Sequence, residues 1–238
     1  MNGHKIVNVC DHVVNICMAL FFLPLIALGV YSVWDNAQSV KAANANAYMQ
    51  YKPTDRLSFE ELQKINPDVF GWITIDDTNI DFPLVQGKDN SKYIDTSAVG
   101  KFSLGGSIFL DYRNKQDFSD PESIIYGHNI EDHKMFGMLT NYKDESFFDK
   151  HLKGKIFFED KWHKLDLFAY VHTDAYKGIY YNPHVSRSAF IAQVKRDASH
   201  YKNVSLSSDE HYVTLSTCTN ADTNGRYLVI GRLGGEVK

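Results

Sequence analysis

Twenty-two residues near the N-terminus, Val13 to Trp34 (VVNICMALFFLPLIALGVYSVW), carry no charge and few polar groups. As a helix the run is about 33 Å long at about 1.5 Å per residue, enough to cross a hydrocarbon core of about 30 Å. A cleaved secretory signal has a shorter apolar region of about 7–15 residues, so the length predicts a retained membrane anchor. The small-x-small triplet Ala45–Ala47 has the form of a cleavage site but lies far beyond the run. Asn15 and Pro24 are tolerable in a single span, where water or neighbouring groups satisfy the freed backbone. Lys5 and the terminal amine before the span nearly balance Lys41 and Lys52 after it, so charge does not set the orientation. One N-terminal span followed by one large domain predicts that the domain is exported. The expected organisation is a cytoplasmic segment over 1–12, a span over 13–34, a stalk over 35–57 and a globular extracellular domain over 58–238.

The balance of the chain excludes some classes of function. Charged residues are 23% and the net charge is −4, with no Lys/Arg cluster, zinc-type cysteine spacing or phosphate-binding loop. Nucleic-acid binding is therefore not expected. No acidic cluster asks for a metal, and no cofactor is expected. Of three cysteines, Cys10 and Cys17 fall at or within the span, which leaves Cys218 as the only thiol of the expected domain. No disulfide can form within it. A lone thiol outside the cell is open to oxidation, so its presence asks for a reason.

Beyond residue 57 the periodicity changes. Ser58 and Glu61 form a capping-box pattern that predicts a short helix over SFEELQKIN, stopped by Pro67. Alternating β-type runs then recur at 70–75, 107–111, 123–127, 155–159, 164–172, 211–218 and 226–233, several of them separated by Asp-Asp, Gly-Gly or Asn-Gly. Many short strands in one domain predict a mostly β fold with peripheral helices, as a sandwich or closed barrel. Helical interruptions are expected at 133–142 and 186–203. The second places Phe190, Ile191, Val194, Ala198 and Tyr201 on one face, as in a helix covering a barrel.

In HYVTLSTC, Tyr212, Thr214, Ser216 and Cys218 share one face of the strand and Val213, Leu215 and Thr217 the other. Cys218 thus ends its strand on the more polar face, and Arg226 opens the next. If the two strands are neighbours, thiol and guanidinium meet at one rim, where an arginine lowers a thiol pKa and stabilises a carbonyl gaining negative charge. A cysteine nucleophile also needs an acid/base. Among ten histidines His128 is the best placed, just past a strand end in SIIYGHN. His133, His151, His163, His172, His184, His200 and His211 lie in charged or helical settings and read as solvated surface. An isolated cysteine is more often buried and inert. Spacing alone suggests a Cys/His/Arg site without establishing one.

The order YGHN, then TLSTC about ninety residues later, then an arginine opening the next strand, resembles the sortases. The segments INPDVFGWITIDDTNIDFPLVQGKDNSKYI and GGSIFLDYRN, and the helix expected before the cysteine strand, are similar to class B of that family. The likeness runs from about residue 58 to the C-terminus. It implies a closed sortase-type barrel with an N-terminal helix and a helix inserted before the cysteine strand. It implies Cys218 as nucleophile, His128 as acid/base and Arg226 as stabiliser of the substrate carbonyl. The implied reaction is cleavage of a C-terminal sorting signal after Thr in a secreted protein, a thioester on Cys218, and transfer to a peptidoglycan precursor amine. Asn90, Ile94 and Ser216 would line the signal groove, joined by Tyr181, with Tyr180 or Tyr176 as alternatives. No metal is implied, and a C-terminal second span of the kind found in many pilus-polymerising class C relatives is not expected. Two other classes stay open: a membrane-tethered module that binds cell-wall or sorting peptides, and a hydrolytic cysteine peptidase.

Overall fold

In the computed structural model, which describes residues 3–42, 44–54, 56–204, 207, 209–219 and 223–237, the chain divides into two units at Lys41/Ala42. The first is helix α1 (Gly3–Ala42), within which Val7–Trp34 has a mean hydropathy of 2.5 and no side-chain burial. It is, among the described residues, the one helix long and apolar enough to cross a membrane. The helix continues through residues expected as stalk.

In the second unit, turns at Ala45–Ala47 and Met49–Tyr51 lead to α2 (Arg56–Ile65). Tyr48 is buried in the main core, Lys52 pairs with Asp81 at 2.5 Å, and the Trp162 indole donates to the Pro53 carbonyl at 3.3 Å. From Tyr48 onward the expected stalk therefore packs on the domain, because an aromatic ring there has a core to enter. Ser58 lies inside α2 rather than capping it, and Phe59 and Leu62, three apart, face the core.

The strands follow as β1 (Val69–Ile75), β2 (Asp81–Val85), β3 (Ile108–Leu110), β4 (Glu122–Tyr126), β5 (Asn129–Ile130) and β6 (Lys134–Met135). Then come α3 (Glu145–Lys150), β7 (Lys153–Phe158), β8 (Lys161–Asp174), α4 (Arg187–Asp197), β9 (Ala198–Tyr201), β10 (Tyr212–Cys218) and β11 (Gly225–Glu236). Strands run in the order β11-β10-β4-β3-β2-β1-β7-β8, and β8 pairs back onto β11 to close an eight-stranded barrel. The length of β8 makes this closure possible. Its first half pairs with β7, its second half with β9, and Leu165–Asp174 carries the ladder to β11. Closure leaves none of these eight strands as an open edge.

Alternation along β10 sets inside against outside. Val213 and Leu215 enter the main core with Leu84, Ile125 and Val229, while Tyr212 joins a second cluster with Phe190 and Val194 of α4. Phe190 and Val194 are fully buried, each stabilising the helix on the barrel by about 1.5–3 kcal/mol.

Two helical expectations need correction, and one strand was not expected. The helix expected over 133–142 is the short strand β6 followed by a 3₁₀ stretch, Phe136–Lys143. The helix expected over 186–203 ends at Asp197, because Ala198–Tyr201 turns extended and hydrogen-bonds to β8 instead. Strand β2 escaped the alternation because Pro83 interrupts it. Only Leu84 and Val85 pair with β3, which leaves Pro83 outside that ladder.

Candidate active site

Strands β4 and β10 are parallel neighbours, with Ser216 opposite Tyr126, so both end at the same rim. Three hydrogen bonds fasten the turn after β4 to the end of β10. The Gly127 amide donates to the Ser216 carbonyl (3.2 Å), the Thr217 hydroxyl to the Gly127 carbonyl (2.8 Å), and the Asn129 side-chain amide to the Cys218 carbonyl (2.9 Å). His128 is thereby held beside the cysteine strand despite its distance in sequence. On the other side of β10, Cys218 pairs directly with Arg226 of β11, and the Thr219 amide donates to Gly225 (3.0 Å).

Cys218, His128 and Arg226 line one cleft of about 310 Å³, together with Asn90, Ile94 and Ser216. Cys218 is exposed, which removes the buried, inert reading of the thiol. The His128 Nε2 lies 2.7 Å from the Ile94 carbonyl oxygen. A carbonyl only accepts, so this bond keeps a proton on Nε2 and leaves Nδ1 as the nitrogen free to exchange one. The Arg226 Nη1 donates to the Gly225 carbonyl at 2.8 Å, which holds the guanidinium at the strand rim.

Of the three alternative tyrosines, Tyr181 adjoins this cleft. Its ring stacks on Tyr126 with centroids 6.3 Å apart and planes 8° from parallel, and its hydroxyl lies 3.4 Å from the Ser216 Oγ. Burial raises its phenol above the ordinary value. Tyr180 is buried under α4 with its hydroxyl on Asp197 (2.7 Å), and Tyr176 is exposed.

None of the seven other domain histidines lines the cleft. His133, His172 and His184 are exposed, as expected. His151 and His163 are instead stacked on Phe147 and Phe158, and His200 and His211 contact the Lys143 and Asp120 carbonyls. Phe109, Tyr126, Gly127 and Thr217 also line the cleft and were not anticipated. Tyr126 stands two residues before His128, which was the signal available for it. Among the described residues no group of three or more His, Cys, Asp or Glu side chains is arranged to hold a metal ion.

A family model described as the sortase domain matches residues 73–234. Sortase B of Listeria monocytogenes is 33% identical over 207 residues, covering 85% of this chain and 84% of the relative. Among solved structures, a class B sortase of Streptococcus pyogenes involved in pilus biogenesis is 39% identical with a TM-score of 0.69, covering 74% of this chain and 97% of the other. The Staphylococcus aureus sortase B–substrate complex aligns with a TM-score of 0.74 at 26% identity, over 84% and 98% of the two chains. The closed barrel, the exposed thiol at its rim and these extended matches agree, and the chain belongs to the sortase family of cysteine transpeptidases, as a member of class B.

Proposed function

We propose that Cys218, His128 and Arg226 are the catalytic residues and that the chain joins secreted proteins bearing a C-terminal sorting signal to a peptidoglycan amine. The Cys218 Sγ attacks the carbonyl carbon of the signal's Thr while its proton passes to His128 Nδ1. The peptide C–N bond breaks, the departing amine takes that proton, and a thioester remains on Cys218. The incoming amine attacks the thioester carbonyl, gives its proton to His128, and the C–S bond breaks to return the sulfur to Cys218. In both steps the carbonyl oxygen gains negative charge, which the Arg226 guanidinium stabilises. Asn90, Ile94, Tyr181 and Ser216 form the walls that hold the extended signal.

The observation that carries this reading is the pairing of Cys218 with Arg226 in a cleft that His128 also lines. Sortases are cell-surface enzymes, and α1 is a fitting anchor. In this reading the helix spans the membrane once and the domain faces outward. Tethering enzyme and membrane-borne acceptor to one surface raises their effective concentration.

The test is cleavage of internally quenched peptides carrying NPxTN-type and xPxTG-type signals, with triglycine or a lysine-bearing peptide as added amine. The wild type should cleave one signal and form an amide with an added amine. Cys218→Ala should do neither while keeping its far-UV spectrum. Peptide binding without turnover by the wild type would favour a binding module, and hydrolysis indifferent to amine would favour a peptidase. Because the S. pyogenes relative is involved in pilus biogenesis, the lysine peptide matters. Its use in preference to triglycine would move the acceptor from cell wall to protein.

A further inference from the structure

Asp111 follows β3 in the run FLDYRN, and its side chain is fully buried. A buried carboxylate is costly unless every lone pair finds a donor. Here the Oδ1 accepts from the Arg113 backbone amide (2.9 Å) and Nε (2.8 Å). The Oδ2 accepts from Arg113 Nη2 (2.8 Å), the Asn90 side-chain amide (2.9 Å) and the Tyr126 hydroxyl (2.9 Å). Burial pushes the Asp111 carboxyl up, but Arg113 and the other donors outweigh it and hold the group below the usual carboxylate range.

Asp111 does not line the cleft, whereas Asn90 and Tyr126 do. The Asn90 amide is fixed at both ends, its Oδ1 accepting from the Tyr112 backbone amide at 3.0 Å. Tyr126 in turn supports the stacked Tyr181 ring. Arg113 Nη2, already on the carboxylate, also donates to the Tyr181 carbonyl at 3.0 Å. Three groove walls from separate parts of the chain thus converge on one buried charge.

We infer that Asp111 is the positioning residue of the peptide groove, setting the Asn90 amide, the Tyr126 ring and, through Arg113, the Tyr181 backbone in the geometry that grips an extended peptide. The inference rests on the proposed function. Asp111 acts on peptide binding and not on the sulfur, so its loss should separate the two.

The variant Asp111→Asn keeps the shape but removes the charge and turns an NH₂ toward groups that are themselves donors. With a quenched peptide that the wild type cleaves, KM should rise about tenfold or more while kcat stays within about threefold. Alkylation of Cys218 by iodoacetamide, which needs no groove, should proceed at the wild-type rate. Tyr126→Phe removes only the hydroxyl donated to Asp111. It should raise KM by itself and add little to Asp111→Asn. Unchanged KM in Asp111→Asn, or alkylation falling in step with cleavage, would overturn the inference. Should Asp111→Asn fail to fold, Tyr126→Phe decides: raised KM with normal alkylation supports the inference, and unchanged KM overturns it. A wild type inactive on every peptide overturns the proposed function and this inference with it. An unchanged KM beside an active wild type overturns this inference alone.

Discussion

Cys218 and Arg226 are directly opposite each other in the antiparallel ladder of β10 and β11, at the last pair before the connecting loop. Residues so paired have Cβ atoms about 4.5–5.5 Å apart on one face of the sheet. In the proposed mechanism a guanidinium at that position stabilises the carbonyl under attack by the sulfur. Its planar fork is rigid where a lysine is a flexible point charge. Arg226→Lys should therefore lower kcat/KM by about 10²-fold or more despite keeping the charge. Peptide cleavage kinetics check this, and near-normal activity in Arg226→Lys would reduce the role to simple electrostatics.

Gly127 separates Tyr126 from His128 where the turn presses on the core. A Cβ there would meet the Phe136 ring at 2.8 Å and collide with the end of Ile108, both fully or nearly fully buried. Gly127→Ala should destabilise the fold by about 1–3 kcal/mol and displace the His128 turn, lowering kcat. Denaturant unfolding and cleavage rates measure both effects.

Glu122 is buried on β4, its Oε1 accepting from the Thr214 hydroxyl at 2.8 Å and its Oε2 without a hydrogen-bond partner among the described residues. Burial pushes its carboxyl well above the ordinary range. An unfolded glutamate ionises near pH 4.3, roughly, so above that pH the unfolded chain binds fewer protons than the folded one. The Glu122 contribution is fully present below the unfolded pKa and is lost as pH rises toward the raised folded value. Glu122→Gln removes this slope. Its thermal midpoint relative to wild type should move upward between about pH 4 and about pH 8. An equal difference at both pH values would contradict a neutral folded-state carboxyl.

How much of the site could be read from sequence follows from which contacts are local. Cys218 and Arg226 belong to strands joined by one loop, so alternation alone was enough to suggest their shared rim. The β4–β10 pairing is parallel and joins residues about ninety positions apart, as in the Thr217–Gly127 bond. Periodicity carries no register across such a gap, so local placement past a strand end could only favour His128, and its nearness to Cys218 could not be read from sequence. Tyr126 and Phe109 went unnoticed for the same reason, since their place in the cleft depends on strands that are not neighbours in sequence. The helix before the cysteine strand was read too long because Ala198 and Tyr201 continue its apolar stripe. Pairing with β8 overrides that local preference.

The most direct test is to acidify the wild-type enzyme during turnover of a cleavable sorting peptide, digest it and weigh the fragment containing residue 218. The account predicts an added mass equal to the signal's N-terminal part through Thr, attached at Cys218 and released by hydroxylamine. Turnover that leaves this fragment unmodified under conditions where a control thioester survives, or an acyl group found on another residue, would contradict it.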